Sequence, residues 1–199
     1  MNIGILHYDS GNIKSVQQAL IHLGHMPHVI SSAKEIEETE CLMIPGQGAF
    51  KSAMTYLRNK QLVTAIKDHI LSSKPFIGIC LGFQLLFQGS DENGGEEGLG
   101  LFPGHFVKFD HHHLKIPHMG WNTLQISPGL FSESSPYFYF IHSYFLPETD
   151  PNLIFSTTTY GRSFVSGIYS TSLLALQCHP EKSGKSGLKL LKEFLNRHE

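Results

Sequence analysis

The 199-residue sequence has little of several features that point to particular protein classes. It carries 15 lysines and arginines against 17 acidic residues, with no basic cluster, which argues against a nucleic-acid-binding surface. No apolar run approaches the roughly 20 residues that a membrane-spanning helix requires. The first residues also lack the basic start and the length of a secretory signal. We therefore expect a cytoplasmic protein that binds neither nucleic acid nor membrane.

Cysteine is scarce as well. Three cysteines at scattered positions do not make a disulfide framework, and a reducing compartment keeps such thiols free. Histidine is abundant by comparison, with 13 residues and a run at His111, His112 and His113. Three consecutive histidines point in different directions on a regular element, so a solvated loop is favoured over a metal site.

The order of apolar segments predicts one α/β domain over residues 1–199. Strands and helices alternate in the first half, which implies an open, mostly parallel sheet flanked by helices. The predicted strands are 2–7, 28–30, 41–44, 76–79, 101–109, 124–126, 137–141, 153–158, 164–169 and 173–177. The predicted helices are 13–23, 49–71 in two pieces, and 188–195. The Gly-rich and acidic segment 89–100 is predicted to be a surface loop.

A cysteine between two glycines follows one of these apolar runs. Cys80 comes directly after the predicted strand 76–79, with Gly78 and Gly82 on either side. This is the sequence form of a nucleophile elbow, in which small neighbours let the backbone pack around a strained turn. A helix that begins there favours the thiolate form of the cysteine. A buried, inert thiol is the other interpretation of a lone cysteine.

A matching pair of residues lies near the end of the chain. A cysteine nucleophile needs a base, and the base needs an orienting acceptor. His179 and Glu181 are two residues apart, so on an extended segment both side chains point to one face. Glu181 would then hold the imidazole while its other nitrogen faces Cys80.

A second glycine-containing loop completes the predicted site. Gly46 and Gly48 follow the predicted strand 41–44 and can present backbone N–H groups. Together with the N–H of Leu81, this loop could stabilise a developing oxyanion. A simple strand-to-helix turn is the alternative interpretation.

Taken together, these motifs resemble those of the class I, triad-type glutamine amidotransferases. More closely, residues 3–195 resemble the family of glutaminase subunits of imidazole glycerol phosphate synthase, from histidine biosynthesis. The markers of that subgroup lie at 10–12, 45–50, 117–122, 142–144 and 179–184.

The resemblance implies hydrolysis of L-glutamine to glutamate and ammonia through a thioester on Cys80. His179 would act as general base and then acid, and Glu181 would orient it. The implied oxyanion donors are Gln47, Gly48 and Leu81, and the implied glutamine-binding residues are Gly46, Gln84, Ser143 and Tyr144. No metal or organic cofactor is implied.

The resemblance also implies a heterodimer with a (β/α)8-barrel cyclase that uses the ammonia to make imidazole glycerol phosphate. The residues that it places near this partner are Asn12, Met119, Gly120, Trp121, Tyr139 and Lys182. Trp121 is the single tryptophan of the chain. From its residue type alone, it is either a core residue or an interface anchor.

The chain departs from the subgroup pattern at three places. Residues 6–9 replace a usual Asp-Tyr-Gly form, Gln47 stands where Val is usual, and Cys178 replaces a usual Phe. These departures leave a paralogous subunit as the alternative, one that supplies ammonia for nucleotide-sugar amination in surface polysaccharide biosynthesis. A second alternative is a catalytically inactive regulatory or binding subunit, against which the complete set of Cys80, His179 and Glu181 counts.

A cysteine peptidase with the same kind of elbow was a further possibility. The Gly82 and Gln84 positions after Cys80 and the His-Pro-Glu order favour the amidotransferase.

Overall fold

A computed structural model describes residues 1–8, 12–109, 114–127, 131 and 136–198. The helices are α1 (Ile13–His22), α2 (Ala33–Glu38), α3 (Phe50–Asn59), α4 (Val63–Leu71), α5 (Leu81–Gln84) and α6 (Gly184–Leu195). The strands are β1 (Ile3–Leu6), β2 (His28–Ile30), β3 (Cys41–Ile44), β4 (Phe76–Ile79), β5 (Phe87–Ser90), β6 (Glu96–Glu97), β7 (Phe102–Lys108), β8 (His118–Thr123), β9 (Gln125–Ile126), β10 (Tyr137–His142), β11 (Tyr144–Phe145), β12 (Ile154–Tyr160), β13 (Arg162–Ser170) and β14 (Leu173–Leu176).

An eight-stranded sheet has the order β2-β1-β3-β4-β14-β13-β12-β9. Its first five strands pair in parallel, and the last three join in antiparallel fashion. A two-stranded sheet of β10 and β8 and a four-stranded sheet of β11-β7-β5-β6 lie beside it. The predicted α/β fold with an open, mostly parallel sheet is confirmed.

The residues of β3 show how the sheet divides the core into two layers. Leu42 and Ile44 belong to the cluster that contains side chains of α2, α3 and α4. Cys41 and Met43 belong to the cluster of α1 and α6, because successive side chains of a strand point to opposite faces. All four are 0% exposed, and each fully buried aliphatic side chain stabilises a fold by about 1.5–3 kcal/mol. The sheet is therefore held between two helical layers.

Four parallel strands lead into chemically distinctive residues at one edge of this sheet. β1 leads to Tyr8, β3 to the loop 45–48, β4 to Cys80 and β14 to His179. The carboxyl ends of parallel strands meet at the same edge, where open α/β sheets bind their ligands.

The segment 89–100 differs from its prediction as a surface loop. It contributes to β5 and β6, which pair as an antiparallel hairpin. At the edge of the small sheet, Glu96 of this segment pairs with Arg58 of α3. Leu99 is 1% exposed, so one end of the segment packs into the core.

Three further elements were not predicted, namely α2, β8 and the two-residue strand β11. α2 is only six residues long, but Ser32 and Glu35 form a capping box at its start that stabilises such short helices. β8 contains His118, Gly120 and Asn122, which are poor strand formers, and it is held by six paired positions along β10.

Within the described part of the chain, no helix combines the length and apolar character that crossing a membrane requires. The histidine run 111–113 lies outside the described residues.

Candidate active site

The nucleophile elbow is present at the end of β4. Cys80 has φ of +50° and ψ of −100°, a backbone conformation that a residue with a side chain rarely adopts and that is found at functional sites. Its N–H donates to the Leu176 carbonyl of β14 at 2.7 Å, and α5 begins at the next residue. The sheet and the helix therefore hold the strained turn from both sides.

The glycines around the elbow allow the backbones to approach closely. A Cβ on Gly82 would lie 2.1 Å from the Ile44 carbonyl oxygen. A Cβ on Gly46 would lie 2.0 Å from the carbonyl oxygen of Ile79 and 2.6 Å from Cβ of Cys80. All three distances are shorter than any real contact, so the loop after β3 packs directly on the elbow only because glycine occupies these positions.

His179 and Glu181, the two residues predicted to act with Cys80, are hydrogen-bonded to each other. His179 Nδ1 lies 2.8 Å from Glu181 Oε1, and both side chains are 1% exposed. Because the carboxylate only accepts, Nδ1 carries the proton in this contact. The predicted extended segment is instead a short 3₁₀ helix at Pro180–Lys182, and this turn brings the carboxylate to the ring.

The charge state of His179 is set by its neighbours. Burial opposes protonation of the imidazole, but the Cys80 thiolate and the Glu181 carboxylate outweigh burial and raise the pKa of His179 to about 10. Nε2, the ring nitrogen that is not bonded to Glu181, is buried and makes no hydrogen bond of standard geometry to another described residue. The arrangement favours an imidazolium that can donate a proton from Nε2.

A cavity of about 400 Å³ opens beside the elbow, within the range of small-molecule sites. Every predicted oxyanion and glutamine-binding residue lines it, namely Gly46, Gln47, Gly48, Leu81, Gln84, Ser143 and Tyr144. Cys80, Glu92, Pro117, Ile141 and His142 complete its wall. The structure therefore brings together side chains from distant parts of the sequence.

Glu92 is a pocket residue that the sequence interpretation missed. Its carboxylate accepts a hydrogen bond from the Phe50 N–H at 2.7 Å, at the start of α3, where Ala49 provides no side-chain cap. Burial raises the pKa of Tyr144, and the negative charge of Glu92 raises it further. An acidic side chain thus lies beside Tyr144 in the pocket wall, in the segment that was predicted to be a surface loop.

Tyr8 connects the first strand to the glycine loop. Its hydroxyl donates to the Pro45 carbonyl, and it is 1% exposed. Burial raises the pKa of Tyr8, the nearby Cys80 adds to this, and a backbone hydrogen bond from Gln47 partly offsets both. In this conformation the loop is therefore anchored to Tyr8 on both sides of Gly46.

Two buried histidines lie behind the pocket. His118 Nδ1 is 3.0 Å from His142 Nε2, and His142 Nδ1 is 2.8 Å from the Tyr144 carbonyl oxygen. The carbonyl only accepts, so His142 donates from Nδ1 and accepts from His118 through Nε2. Burial lowers the pKa of His118 to about 4 and that of His142 to about 3. Both rings are therefore neutral near pH 7.

Four of the residues that were predicted at a partner interface lie on β8 and β10. Met119 and Trp121 are 55% and 56% exposed, so Trp121 is not a core residue. Gly120 lies between them with φ of +137°. Tyr139 pairs with Trp121 across the two strands, and its carbonyl accepts the His179 N–H at 2.8 Å. The exposed apolar surface formed by Met119, Trp121 and Tyr137, here the β8–β10 patch, thus adjoins His179.

The other two predicted interface residues have local roles. Asn12 caps α1 by accepting from the Ser15 N–H at 3.4 Å. Lys182 is the last residue of the 3₁₀ helix, and its backbone N–H donates to the His179 carbonyl at 3.0 Å. Their contact with a partner stays a prediction. Among the described residues, no group of three His, Cys, Asp or Glu side chains is placed to hold a metal ion.

Comparison with known proteins identifies the family of the chain. A family model described as glutamine amidotransferase class-I matches residues 6–197. Imidazole glycerol phosphate synthase subunit HisH of Rhodopirellula baltica is 42% identical over 196 residues, covering 96% of each chain. The subunit of the same name from Caldanaerobacter subterraneus subsp. tengcongensis is 43% identical over 196 residues, again covering 96% of each chain.

A solved structure of PurLQS from Thermotoga maritima matches in fold, with a TM-score of 0.77, 17% identity and coverage of 100% of this chain and 99% of that one. At this identity the likeness concerns the fold alone. The chain therefore belongs to the class-I glutamine amidotransferase family and, within it, to the HisH group of imidazole glycerol phosphate synthase subunits.

Proposed function

We propose that this chain is the glutaminase subunit of an imidazole glycerol phosphate synthase and hydrolyses L-glutamine to glutamate and ammonia. The observation that supports this most directly is the strained Cys80 elbow at a pocket, with the His179–Glu181 pair beside it. The proposal takes residues 1–199 as one glutamine amidotransferase domain, in keeping with the family match over residues 6–197.

The chemistry follows from the groups at the elbow. The Cys80 thiolate attacks the γ-carboxamide carbon of glutamine, and the carbon–nitrogen bond breaks as His179 donates a proton to the departing ammonia. A γ-glutamyl thioester remains on the sulfur. His179 then takes a proton from water, whose oxygen attacks the thioester carbon. The carbon–sulfur bond breaks, which releases glutamate and restores the thiolate.

Backbone N–H groups of Gln47, Gly48 and Leu81 are proposed to stabilise the oxyanion in both steps. Leu81 is the first residue of α5 and directly follows Cys80. The Gln47 N–H, however, donates a hydrogen bond to the Tyr8 hydroxyl in this conformation. We infer that the loop 46–48 must release Tyr8 and reorient before Gln47 can serve the oxyanion, a change that its glycines permit.

Glutamine is proposed to lie in the cavity against Gly46, Gln84, Ser143 and Tyr144. Glu92 is a suitable acceptor for the α-ammonium group of the substrate, because its carboxylate lines the same cavity and a charged partner strengthens a hydrogen bond. No metal or organic cofactor is required for any of these steps.

Ammonia is largely protonated at neutral pH and is then no longer a nucleophile, so a partner that receives it directly is part of the proposal. The relatives are named as subunits of imidazole glycerol phosphate synthase, and the partner proposed here is a cyclase of the (β/α)8-barrel type. The β8–β10 patch supports docking beside the site, because exposed Trp and Met side chains are enriched at the centres of interfaces.

A cytoplasmic location completes the proposal. Cys41, Cys80 and Cys178 are all free thiols, and the mechanism requires Cys80 to stay reduced.

The test is glutaminase turnover of the purified chain, with and without a histidine-pathway cyclase and its phosphoribosyl ligand. We expect strong stimulation by the complex and complete loss of activity in Cys80→Ala. The matched control is Cys41→Ala, which removes a buried thiol of β3 and should retain turnover. Absence of stimulation, with Cys80 still labelled by a glutamine-analogue electrophile, would instead favour the nucleotide-sugar amination subunit. Failure of both labelling and turnover would favour an inactive binding subunit.

A further inference from the structure

Gln177 lies beside the nucleophile and takes no part in the triad. Its side-chain Nε2 donates to Cys80 Sγ at 3.6 Å. Its Oε1 accepts from Gln84 Nε2 at 3.1 Å. Gln177 is 0% exposed and Gln84 is 7% exposed, and Gln84 lines the glutamine pocket. A continuous hydrogen-bonded series therefore runs from the pocket wall through two buried amides to the sulfur.

The orientation of both amides follows from the thiolate form of Cys80, because a thiolate only accepts and Gln177 must therefore donate to it through Nε2. A glutamine side chain has one donating and one accepting end, and Gln84 donates to the accepting end of Gln177. The donating end of Gln177 must then face Sγ. Gln84 has used a donor, which leaves its own Oε1 to accept from a group in the pocket. The Gln177 N–H donates to the Ser166 carbonyl at 2.9 Å, so the sheet holds the series in place.

The sulfur has two further neighbours. The positive charge of His179 also favours the thiolate, as the effect of Cys80 on the pKa of His179 indicates, whereas Ile141 has the opposite effect. The thiol can donate to the Ile141 carbonyl, which lies 3.9 Å from Sγ. A carbonyl favours the protonated thiol, whereas an N–H donor favours the charged thiolate. Gln177 supplies such a donor at the face of the sulfur that the sheet covers.

We propose that Gln177 is a positioning residue with two separate effects on glutamine hydrolysis. Its Nε2 stabilises the Cys80 thiolate before attack, and its Oε1 holds the Gln84 amide so that Gln84 Oε1 accepts from a donor of the bound glutamine. This inference rests on the proposed role of Cys80 as the nucleophile. In this proposal, the ability of Gln84 Oε1 to accept a hydrogen bond in the pocket depends on Gln177, which does not line the pocket.

Two substitutions separate these effects. Gln177→Met keeps the length of the side chain and removes both ends of the amide. Gln177→Glu keeps an acceptor for Gln84 and removes the N–H that faces the sulfur. Gln84→Met is the mirror variant, because it leaves the donor to Cys80 and removes the pocket acceptor.

The first measurement is the pH dependence of iodoacetamide alkylation, with the modified cysteine identified by peptide mass spectrometry. Cys41 and Cys178 do not interfere, because both are 0% exposed and burial raises the pKa of each thiol. In both Gln177 variants we expect the midpoint of Cys80 alkylation to move to higher pH. The rate at pH 7 should fall about tenfold, as loss of a hydrogen bond to a charged group predicts. Gln84→Met should leave the midpoint in place.

The second measurement is steady-state glutaminase with the cyclase complex. KM for glutamine should rise in Gln177→Met and in Gln84→Met but stay within about twofold of wild type in Gln177→Glu, the variant that retains the acceptor for Gln84. Ser156→Ala, which removes a buried hydroxyl bonded to Ser166, is the control for general loosening of the sheet and should change neither measurement.

Unchanged alkylation midpoints in folded Gln177 variants would overturn the inference, as would the same KM in the Met and Glu variants. If Gln177→Met does not fold, Gln177→Leu carries the alkylation test, because it also lacks the amide and, unlike Gln177→Glu, places no negative charge beside the sulfur. Failure of the proposed function is distinguishable, because wild-type protein would then be alkylated at Cys80 without hydrolysing glutamine.

Discussion

At the scale of single residues, the charge on Glu181 controls the acid–base behaviour of His179. Glu181→Gln retains an acceptor for Nδ1–H but removes the negative charge that helps to raise the pKa of His179. A lower pKa means that the imidazolium is lost at lower pH. We therefore expect the alkaline limb of the glutaminase pH profile to move to lower pH, and kcat to fall by about 10²-fold or more.

The matched control for this prediction is Glu37→Gln, an exposed position on α2, which should leave the profile unchanged. A Glu181→Gln variant with an unmoved alkaline limb would mean that His179 does not titrate in that range.

Residues whose role depends on local spacing could be predicted from the sequence, whereas residues defined by long-range packing could not. The Gly–Cys–Gly pattern and the His-Pro-Glu order identify Cys80 and His179 directly. Gln177 carries no such signal, because its contacts with Cys80 and Gln84 join positions 97 and 93 residues apart. Glu92 was missed because its acidic, Gly-rich surroundings are typical of a solvated loop.

At the scale of elements, the contact between Tyr8 and the loop 46–48 is open to a direct test. Tyr8→Phe removes the hydroxyl that donates to Pro45 and interacts with the Gln47 N–H. The loop 46–48 can then reorient in the absence of the cyclase. We therefore expect the glutaminase activity of the isolated chain to rise several-fold and its stimulation by the cyclase to become smaller. Leaving the buried Pro45 carbonyl unpaired costs about 1–3 kcal/mol of stability, which a thermal melt will register.

Equal loss of kcat/KM with and without the cyclase complex in Tyr8→Phe would contradict this view. That result would show that the Tyr8 hydroxyl stabilises the conformation of the loop 46–48 that hydrolyses glutamine, and not the conformation described here.

The His118–His142 pair makes the β8–β10 sheet sensitive to acid. In the unfolded chain both histidines bind protons near pH 6.5, whereas in the fold they stay neutral down to about pH 4 and about pH 3 because they are buried. The unfolded state thus binds more protons over this window, and stability falls as the pH is lowered from about 6.5, by up to about 1.4 kcal/mol per pH unit for each histidine.

His118→Phe can keep the stack on Tyr160 and Phe140 but cannot titrate. Urea unfolding between pH 7.5 and about pH 5 should therefore show a shallower pH dependence than wild type, with lower stability at pH 7.5 because His142 loses a partner. His22→Gln, at an exposed position, is the control and should follow wild type.

Elements with a regular apolar period could be predicted, and those stabilised by their surroundings could not. β3 and β4 are short apolar runs, and α1 shows helical spacing with Gly24 after its end. β8 lacks an apolar alternation and contains Gly120 and Asn122, which disfavour strands, and it is held by β10, which pairs along its whole length. The 3₁₀ helix at Pro180–Lys182 was missed because its sequence also suits an extended segment.

At the scale of the whole molecule, the β8–β10 patch is the surface that we propose for docking of the partner. Trp121→Ala should weaken cyclase binding by at least about tenfold, since exposed tryptophans dominate interface energetics. The monomer should remain folded, because the side chain is 56% exposed. Titration calorimetry measures the affinity, and a thermal melt checks the fold.

Leu71→Ala is the matched control, because Leu71 is 70% exposed and ends α4 at the opposite edge of the sheet, before β4. Its affinity for the cyclase should equal that of wild type. Unchanged affinity in Trp121→Ala would remove the patch from the interface.

The bridge between Tyr139 and His179 has a consequence for timing. His179 donates its backbone N–H to the same strand that displays the exposed apolar patch. Ile141, two residues further along that strand, has its carbonyl oxygen 3.9 Å from the sulfur of Cys80. If docking of a partner displaces β10, His179 and the carbonyl that faces the Cys80 sulfur therefore move together. Glutamine would then be hydrolysed only while a partner that accepts the ammonia is bound.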